Sequence, residues 1–269
     1  DTVNRDMSDH QKALGLKVST SNLCSEITLP TGLDHEGNER TAVCCLSSLN
    51  IEKWHDWNEE PDFIEDVARF LDNVLTYFIE AAPEGMSRAA YSALNERSIG
   101  LGVMGYHSFL QSEGIPMESA LSKSWNLRIF KHVRGQMDQA SKTLAEERGP
   151  CPDALKIGAK ERFSHKMAIA PTASISIICG GASACIEPIP ANIYTHKTLS
   201  GSFTVRNRHL QGLLADRGED TPSTWASILE HEGSVQHLDC LDDDEKAIYR
   251  TAFEIDQRWV IELAADRAP

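Results

Sequence analysis

Asn22, Cys24 and Glu26 fall at alternate positions of one five-residue run, and Cys44 follows about twenty positions later. An amide, a thiol and a carboxyl so close together suit chemistry on a hydroxylated substrate, with the carboxylate accepting a proton from a hydroxyl as a general base. Side chains on an extended strand repeat every two residues, so local alternation predicts that Asn22, Cys24 and Glu26 project to one side and face one pocket. The bland reading of Cys24 is a small buried hydrophobe, the usual state of a free cysteine. Its neighbours weigh against that reading, because a buried carboxylate beside a buried thiol is costly unless it has a partner or a task.

Cys44 and Cys45 form a vicinal pair. Alternation turns one side chain toward the core and the other away, so at most one of them faces a site, and spacing alone leaves open which. Further on, Pro171-Thr172-Ala173-Ser174 follows an apolar, β-branched stretch and leads toward Gly180-Gly181. Small residues and hydroxyls after a strand let backbone N–H groups approach phosphate oxygens, and a helix starting there adds a favourable dipole. An ordinary turn rich in small residues is the competing reading.

The elements that must carry these groups can be read from periodicity. Glu26 to Leu29 and Ala42 to Leu46 are β-prone and are separated by a polar stretch, Thr31 to Arg40, which predicts strand or loop, turn, strand. From Pro61 onward Phe63, Ile64, Val67, Phe70, Leu71, Val74, Leu75 and Phe78 recur at three- and four-residue steps, with Asp62, Glu65 and Asp66 in the first turn. That pattern predicts an amphipathic helix ending near Pro83. A second helical stretch is expected over Ser87 to Gln111, interrupted by Gly100, Gly102 and Gly105, which permit close packing or a broken start. A third is expected over Glu118 to Arg148, closed by Gly149-Pro150, with Lys131, Arg134 and Glu146 on its exposed face. Met167 to Ile178 reads as a strand running into a small-residue loop, and a short strand is expected near Asn192 to Tyr194. Helices are then expected around Val205 to Ala215, Thr221 to His231 and Asp243 to Asp266. Strands alternating with helices over this length point to α/β architecture, and the lack of repeats or long linkers makes one domain the simpler partition.

Composition narrows the partners. The 269 residues are 41% hydrophobic, enough for a buried core, and 40 acidic against 26 basic residues give a formal charge of −14, which disfavours binding to nucleic acid. No apolar run approaches the about 20 residues that span a bilayer, and Asp1 to Asp9 lack the features of a signal peptide, so no membrane role and a cytoplasmic location are expected. The seven cysteines form no CxxC pair, and His10, His35 and His55 stand at no regular ligand spacing. Reduced thiols and no structural metal site are therefore expected.

Five motifs in order, SNLCSEITLP, AVCCLSSLN, ERSIGLGVMGYHSFLQ, IAPTASIS and SACIEPIPANIYTHKTLSG, resemble the large, catalytic subunit of ribonucleotide reductase along nearly the whole chain. The resemblance implies an α/β fold, part of a ten-stranded α/β barrel with a central finger loop carrying the radical cysteine. It implies that Cys24 becomes a thiyl radical and abstracts the ribose 3′ hydrogen, that Glu26 takes the 3′-hydroxyl proton, and that Asn22 hydrogen-bonds the ribose. Cys44 aligns with the reducing thiol that serves the departing 2′-hydroxyl and ends in a disulfide, and Cys45 carries no implied role. Pro171, Thr172, Ala173 and Ser174 become a loop that cradles the substrate diphosphate.

The implied activity is reduction of ribonucleoside diphosphates to 2′-deoxyribonucleotides. The chain binds no cofactor directly in this reading; a small metal-containing subunit supplies the radical, and a thioredoxin or glutaredoxin type reductant restores the thiols. The family's partner cysteine for Cys44, its effector-binding elements, its radical-passing tyrosine pair and its mobile cysteine tail have no counterpart here. Residues 1–269 are thus expected to form a single partial catalytic barrel domain, inactive without the missing segments of the large subunit. Two alternatives stand beside this: the adenosylcobalamin-dependent reductase, which shares the barrel and the Cys, Glu and Asn logic, and a non-catalytic remnant that binds nucleotides or a partner. SGSFTVRNRHLQ and FEIDQRWVIELAADRA are closer to the subunit-dependent class.

Overall fold

The computed structural model describes residues 2–268. In chain order the elements are α1 (Thr2–Asp6), α2 (Asp9–Ala13), β1 (Gly32–Leu33), β2 (Glu39–Arg40), β3 (Leu46–Asn50), α3 (Trp54–Trp57), α4 (Phe63–Ala81), α5 (Ser87–Glu96), β4 (Gly100–Met104), α6 (Tyr106–Ser112) and α7 (Ala120–Arg148). They continue with α8 (Pro152–Lys156), α9 (Ile175–Ile178), β5 (Ile193–Thr198), β6 (Gly201–Arg206), α10 (Arg208–Asp216), α11 (Pro222–Glu230), α12 (Asp243–Ile248) and α13 (Gln257–Arg267). The fold is mixed α/β, and the strands pair as β1 with β2, β3 with β4, and β5 with β6. Among the described residues no helix is long and apolar enough to cross a membrane.

The chain divides into two compact units. One takes the described residues through Leu49 together with His55–Val103 and His132–Pro171; the other takes Asn50–Trp54, Met104–Lys131 and the described residues from Thr172 onward.

In the first unit α4 forms where the apolar spacing predicts. Ile64, Ala68, Leu71 and Leu75 are its buried stripe, and α4 packs on α5. The expected stripe is wider than the buried one, because Phe70 and Val74 remain exposed. Asp72 also lies on the buried face, accepting from Arg97 Nε (2.8 Å), Arg162 Nε (2.9 Å) and Arg148 Nη1 (2.7 Å). Burial alone would raise this carboxyl, but the hydrogen bond from Arg162 and the charge of Arg97 hold it below the ordinary range.

The region from Ser87 to Gln111 differs from its expectation. Helix α5 stops at Glu96, with Arg97 in the left-handed region (φ 43°), and the glycine-containing piece is the strand β4. Every residue of β4 is buried. Gly100 N–H donates to Cys45 O (2.9 Å), while on the other side Leu101 N–H donates to Lys166 O (2.9 Å) and Leu101 O accepts from Ala168 N–H (3.3 Å). A Cβ on Gly100 would come within 2.3 Å of Leu46 Cδ2, and one on Gly102 within 2.3 Å of Ala168 O. The glycines therefore serve close packing, one of the two uses expected of them, but in a strand. The strand expected over Ala42 to Leu46 begins only at Leu46, and the stretch expected to be a strand from Met167 contributes a single parallel bridge, Leu101 with Met167.

The second unit has its core where α10, α11 and β5 meet, around Leu210, Leu214, Trp225, Ile228, Ile193 and Val235. The strand expected near Asn192 to Tyr194 extends to Thr198 and returns as β6, in antiparallel register from Ile193 opposite Arg206 to Thr198 opposite Gly201. The single helix expected over Asp243 to Asp266 is two, α12 with an Asp242–Glu245 capping box, and α13 with Asp256 as its N-cap. In α7 the exposed Lys131, Arg134 and Glu146 match the expected outer face.

Two consequences can be measured. Gly102→Ala is expected to lower stability by about 2 kcal/mol or more, since backbone stands in the way of the new methyl. Gly135→Ala, in α7 with open space around it, should be neutral or stabilising by up to about 1 kcal/mol; equal effects of the two in urea denaturation would refute the close-approach argument. Glu96, buried beside Arg40 and Asp153, is pushed up to about 7, chiefly by burial. A carboxyl raised in the fold contributes stability that is full below its unfolded value and is lost as pH rises through about 7. The stability of Glu96→Gln relative to the unsubstituted chain should therefore climb between about pH 5 and pH 8, by on the order of 2 kcal/mol. A difference that does not vary with pH would count against an elevated Glu96.

Candidate functional site

The run containing Cys24 is a turn and not a strand. Leu23, Cys24 and Ser25 form the bend, Ser25 N–H donates to Asn22 O (3.1 Å), and Ser25 sits in the left-handed region at φ 62°. A non-glycine residue there costs on the order of 1 kcal/mol, and side-chain bonds across the base of the turn offset it. Asn22 Oδ1 accepts from Ile27 N–H (3.0 Å), Asn22 Nδ2 donates to Glu26 Oε2 (2.6 Å), and Ser21 Oγ donates to Ile27 O (2.7 Å). Buried Ile27 and Leu29 tether the base.

The expected alternation is corrected accordingly. Asn22 and Glu26 meet because the chain reverses, and Cys24 is exposed at the tip beside Leu23, which is 99% exposed.

Cys44 and Cys45 part company as the vicinal pattern requires. Cys45 is buried, its Sγ directed at Leu71 O (3.7 Å), and burial pushes its thiol up to about 11. Cys44 is exposed. Its thiol is also raised, first by partial burial and then by the charges of Glu26 and Cys24, so both of those groups lie within electrostatic reach of it. Glu26 and Cys24 thus act on the charge of Cys44, all three lie in the first unit, and the Cys44 thiol ionises less readily than a free one.

Beneath the turn a cleft of about 70 Å³ is lined by Glu26, Thr28, Cys45, Ser98, Gly100 and His165 among others. It is too small for a nucleotide and is sized for a few waters. Ser98 Oγ donates to Glu96 Oε2 (3.1 Å), which leaves it to accept from Ser164 Oγ (2.9 Å). The His165 imidazole is pushed below its ordinary value, first by burial and then by His10 and Lys166, so it lines the cleft as a neutral ring. No spacing in the sequence marks Ser98 or His165; the polar run Asn95-Glu96-Arg97-Ser98 directly before an apolar strand is the local signal for the first of them.

The remaining expected residues lie where the two units divide, between Pro171 and Thr172. Thr172 is buried, takes φ 53°, and its Oγ1 accepts from Cys185 N–H (2.7 Å). Its hydroxyl thus already anchors the loop. Ala173 and Ser174 are exposed in the following turn, and Ser174 precedes the one-turn helix α9 without spending its hydroxyl on a cap. Among the described residues no group of three or more His, Cys, Asp or Glu side chains gathers to hold a metal ion.

The chain matches the family model described as ribonucleotide reductase, barrel domain, over residues 1–161 and 154–269. It is 46% identical, over 99% of its length, to a ribonucleoside-diphosphate reductase large subunit of Invertebrate iridescent virus 3, and covers 42% of that protein. A second such large subunit, of Invertebrate iridescent virus 6, is 48% identical over 91% of the chain, which covers 25% of it. The solved structure of the Actinobacillus ureae class Id ribonucleotide reductase alpha subunit superposes with a TM-score of 0.90 at 37% identity, over 99% of this chain and 48% of that one. The chain thus spans less than half the length of these relatives. With a family match that runs through both compact units, this chain belongs to the ribonucleotide reductase barrel-domain family.

Proposed function

We propose that this chain is the part of a ribonucleotide reductase large subunit that reduces ribonucleoside diphosphates by a thiyl-radical mechanism. The observation that carries the proposal is the Asn22–Glu26 hydrogen bond across the base of a turn whose exposed tip is Cys24, with the exposed Cys44 in the same unit. Cys24, exposed at the tip of its turn, takes the hydrogen atom from the ribose 3′ carbon and later returns it. Glu26 accepts the 3′-hydroxyl proton, and Asn22, which already orients the carboxylate, hydrogen-bonds the sugar hydroxyls.

Cys44 gives a proton to the departing 2′-hydroxyl, which leaves as water. Cys44 and a second cysteine supply the two electrons and end as a disulfide, so each turnover converts one ribonucleotide and one dithiol into one deoxyribonucleotide, one disulfide and water. That second cysteine lies, in this reading, in polypeptide outside these 269 residues, as do the further strands of a ten-stranded barrel whose finger loop is the Ser21–Ile27 turn. A thioredoxin or glutaredoxin type reductant regenerates the dithiol. The exposed Ala173 and Ser174, with Pro171 and Thr172, cradle the substrate diphosphate.

The names of the relatives favour the subunit-dependent class, in which a small metal-containing subunit supplies the radical, over the adenosylcobalamin-dependent one. A location in the cytoplasm accords with this substrate.

Two measurements test the reading. In the assembled reductase carrying this chain, Cys24→Ser should abolish deoxynucleotide formation while leaving nucleotide binding intact; turnover by that variant would eliminate the radical role of Cys24. Alkylation of Cys44 by iodoacetamide near pH 8 should be slower than that of free cysteine, since a raised thiol holds less thiolate. Glu26→Gln removes one of the charges that raises it and should speed that alkylation about two- to fivefold, the scale of one screened charge at short range. An unchanged rate, followed by peptide mass spectrometry, would show that Glu26 does not face Cys44.

A further inference from the structure

The segment that follows Ser174 is held from outside itself. Helix α9 is a single turn, and Gly180 and Gly181 after it both take positive φ, 89° and 73°. Within the segment, Ser176 O accepts from Gly181 N–H and Ala182 N–H, each at 3.1 Å. Two side chains then take consecutive carbonyls at its far end: Asn50 Nδ2 donates to Cys179 O (3.2 Å) and Arg208 Nη1 to Gly180 O (2.5 Å).

Arg208 is itself clamped. Its Nη2 pairs with Glu52 Oε1, the same oxygen that meets His209 Nε2 at 3.0 Å, and the Glu52 side chain is only 6% exposed. Asn50 and Glu52 come from one short segment, in which Asn50 Oδ1 accepts from Glu52 N–H (3.1 Å). Asn50, Glu52, Arg208 and the residues from Thr172 to Cys185 all belong to the second unit.

We infer that Arg208, clamped by Glu52, is a positioning residue for the candidate diphosphate loop, fixing with Asn50 the end of the segment opposite the Thr172 anchor. The inference rests on the reading of residues 171–174 as that loop. Backbone N–H groups bind an anion well only if their directions are set in advance, since ordering them at the moment of binding subtracts from affinity. A glycine pair has the widest backbone freedom of any dipeptide, so without an external hold the turn at Ala173 and Ser174 samples many orientations. Ser183, beyond the glycines, is held to Ser108 and Gly105; Arg208 and Asn50 limit the freedom of the glycine end itself by holding the Gly180 and Cys179 carbonyls, and Glu52 sets where the guanidinium points.

The test uses the assembled reductase carrying this chain, with cytidine diphosphate and cytidine as probes. Arg208→Gln should weaken cytidine diphosphate binding about tenfold. It should leave cytidine binding unchanged and kcat at saturation within about twofold of the parent, because a positioning residue acts on the diphosphate alone. Arg208→Lys, which keeps a donor and the charge, should recover part of the loss, and Glu52→Gln should weaken cytidine diphosphate in the same direction.

Unchanged cytidine diphosphate affinity in Arg208→Gln overturns the inference, and so does an equal loss for cytidine, which a general structural role would give. Tighter binding in Glu52→Gln overturns it as well, since a freed Arg208 that helps would be a direct phosphate ligand. Ala173→Pro, altering the loop itself, separates the two levels: if it weakens cytidine diphosphate and Arg208→Gln does not, only the positioning role falls. If Ala173→Pro is silent too, the loop reading falls with it. Melting temperatures of all variants establish that each is folded, and Arg208→Lys with Glu52→Gln carries the comparison should Arg208→Gln unfold.

Discussion

The first unit depends on the close approach of backbone to backbone along β4. Gly100 and Gly102 let this strand lie flush against the chain on both sides, taking the Cys45 carbonyl on one and the 165–168 segment on the other. The two neighbours are the stretches that end beside chemically interesting residues: Cys45 is preceded by Cys44, and Ala168 leads to Pro171. A side chain at either glycine would push one of them outward. The position of Cys44 is thereby coupled to residues more than fifty positions away, through hydrogen bonds to a wholly buried strand, where an unmade bond costs more than the average made one contributes.

Charge is buried around this strand in a form that only tertiary structure could assemble. Asp72 gathers Arg97, Arg148 and Arg162, and Arg40 bridges Asp34, Glu96 and Asp153, all on side chains that are mostly or wholly buried. Such networks are weak evidence for net stability, since desolvation offsets much of the attraction. What they do impose is geometry, because removing any one partner strands a charge away from water. The middle of α4 and the C-terminal ends of α5 and α7 are fixed in this way, and Glu96 carries the constraint through Ser98 to the cleft below Glu26.

Sequence reading captured what is local and periodic. Helix α4 is legible because Ile64, Leu71 and Leu75 fall in a run of apolar residues at three- and four-residue steps, and α7 because Gly149-Pro150 marks its end. The five motifs carried the family. The stretch Gly100–Met104 is a strand where a helix is expected, since five apolar or small residues between two helices are compatible with either state, and the close packing expected of the glycines does not say in which. Asn22 and Glu26 do lie together, but through a turn and not through alternation along a strand. Alternation assumes an extended chain, and nothing in the residue types announces that Ser25 adopts φ 62°. The long-range contacts of Asp72 and Glu96 left no trace in spacing at all.

The turn around Cys24 sets a carboxyl, oriented by a neutral amide, where its charge acts on Cys44. Asn22 spends its amide N–H on Glu26 and its amide oxygen on Ile27 N–H, so the carboxylate is oriented by a neutral donor and keeps its negative charge close to the thiols. That same charge, with partial burial, makes ionisation of Cys44 less favourable. The oriented Glu26 and the raised Cys44 thiol are therefore consequences of a single placement. An alternation-based strand would separate successive alternate Cα atoms by about 6.5 Å and leave Asn22 and Glu26 about twice that apart, beyond hydrogen-bond reach. Reversal of the chain is thus the step that turns a suggestive spacing into a working arrangement, and the strained Ser25 is its structural cost.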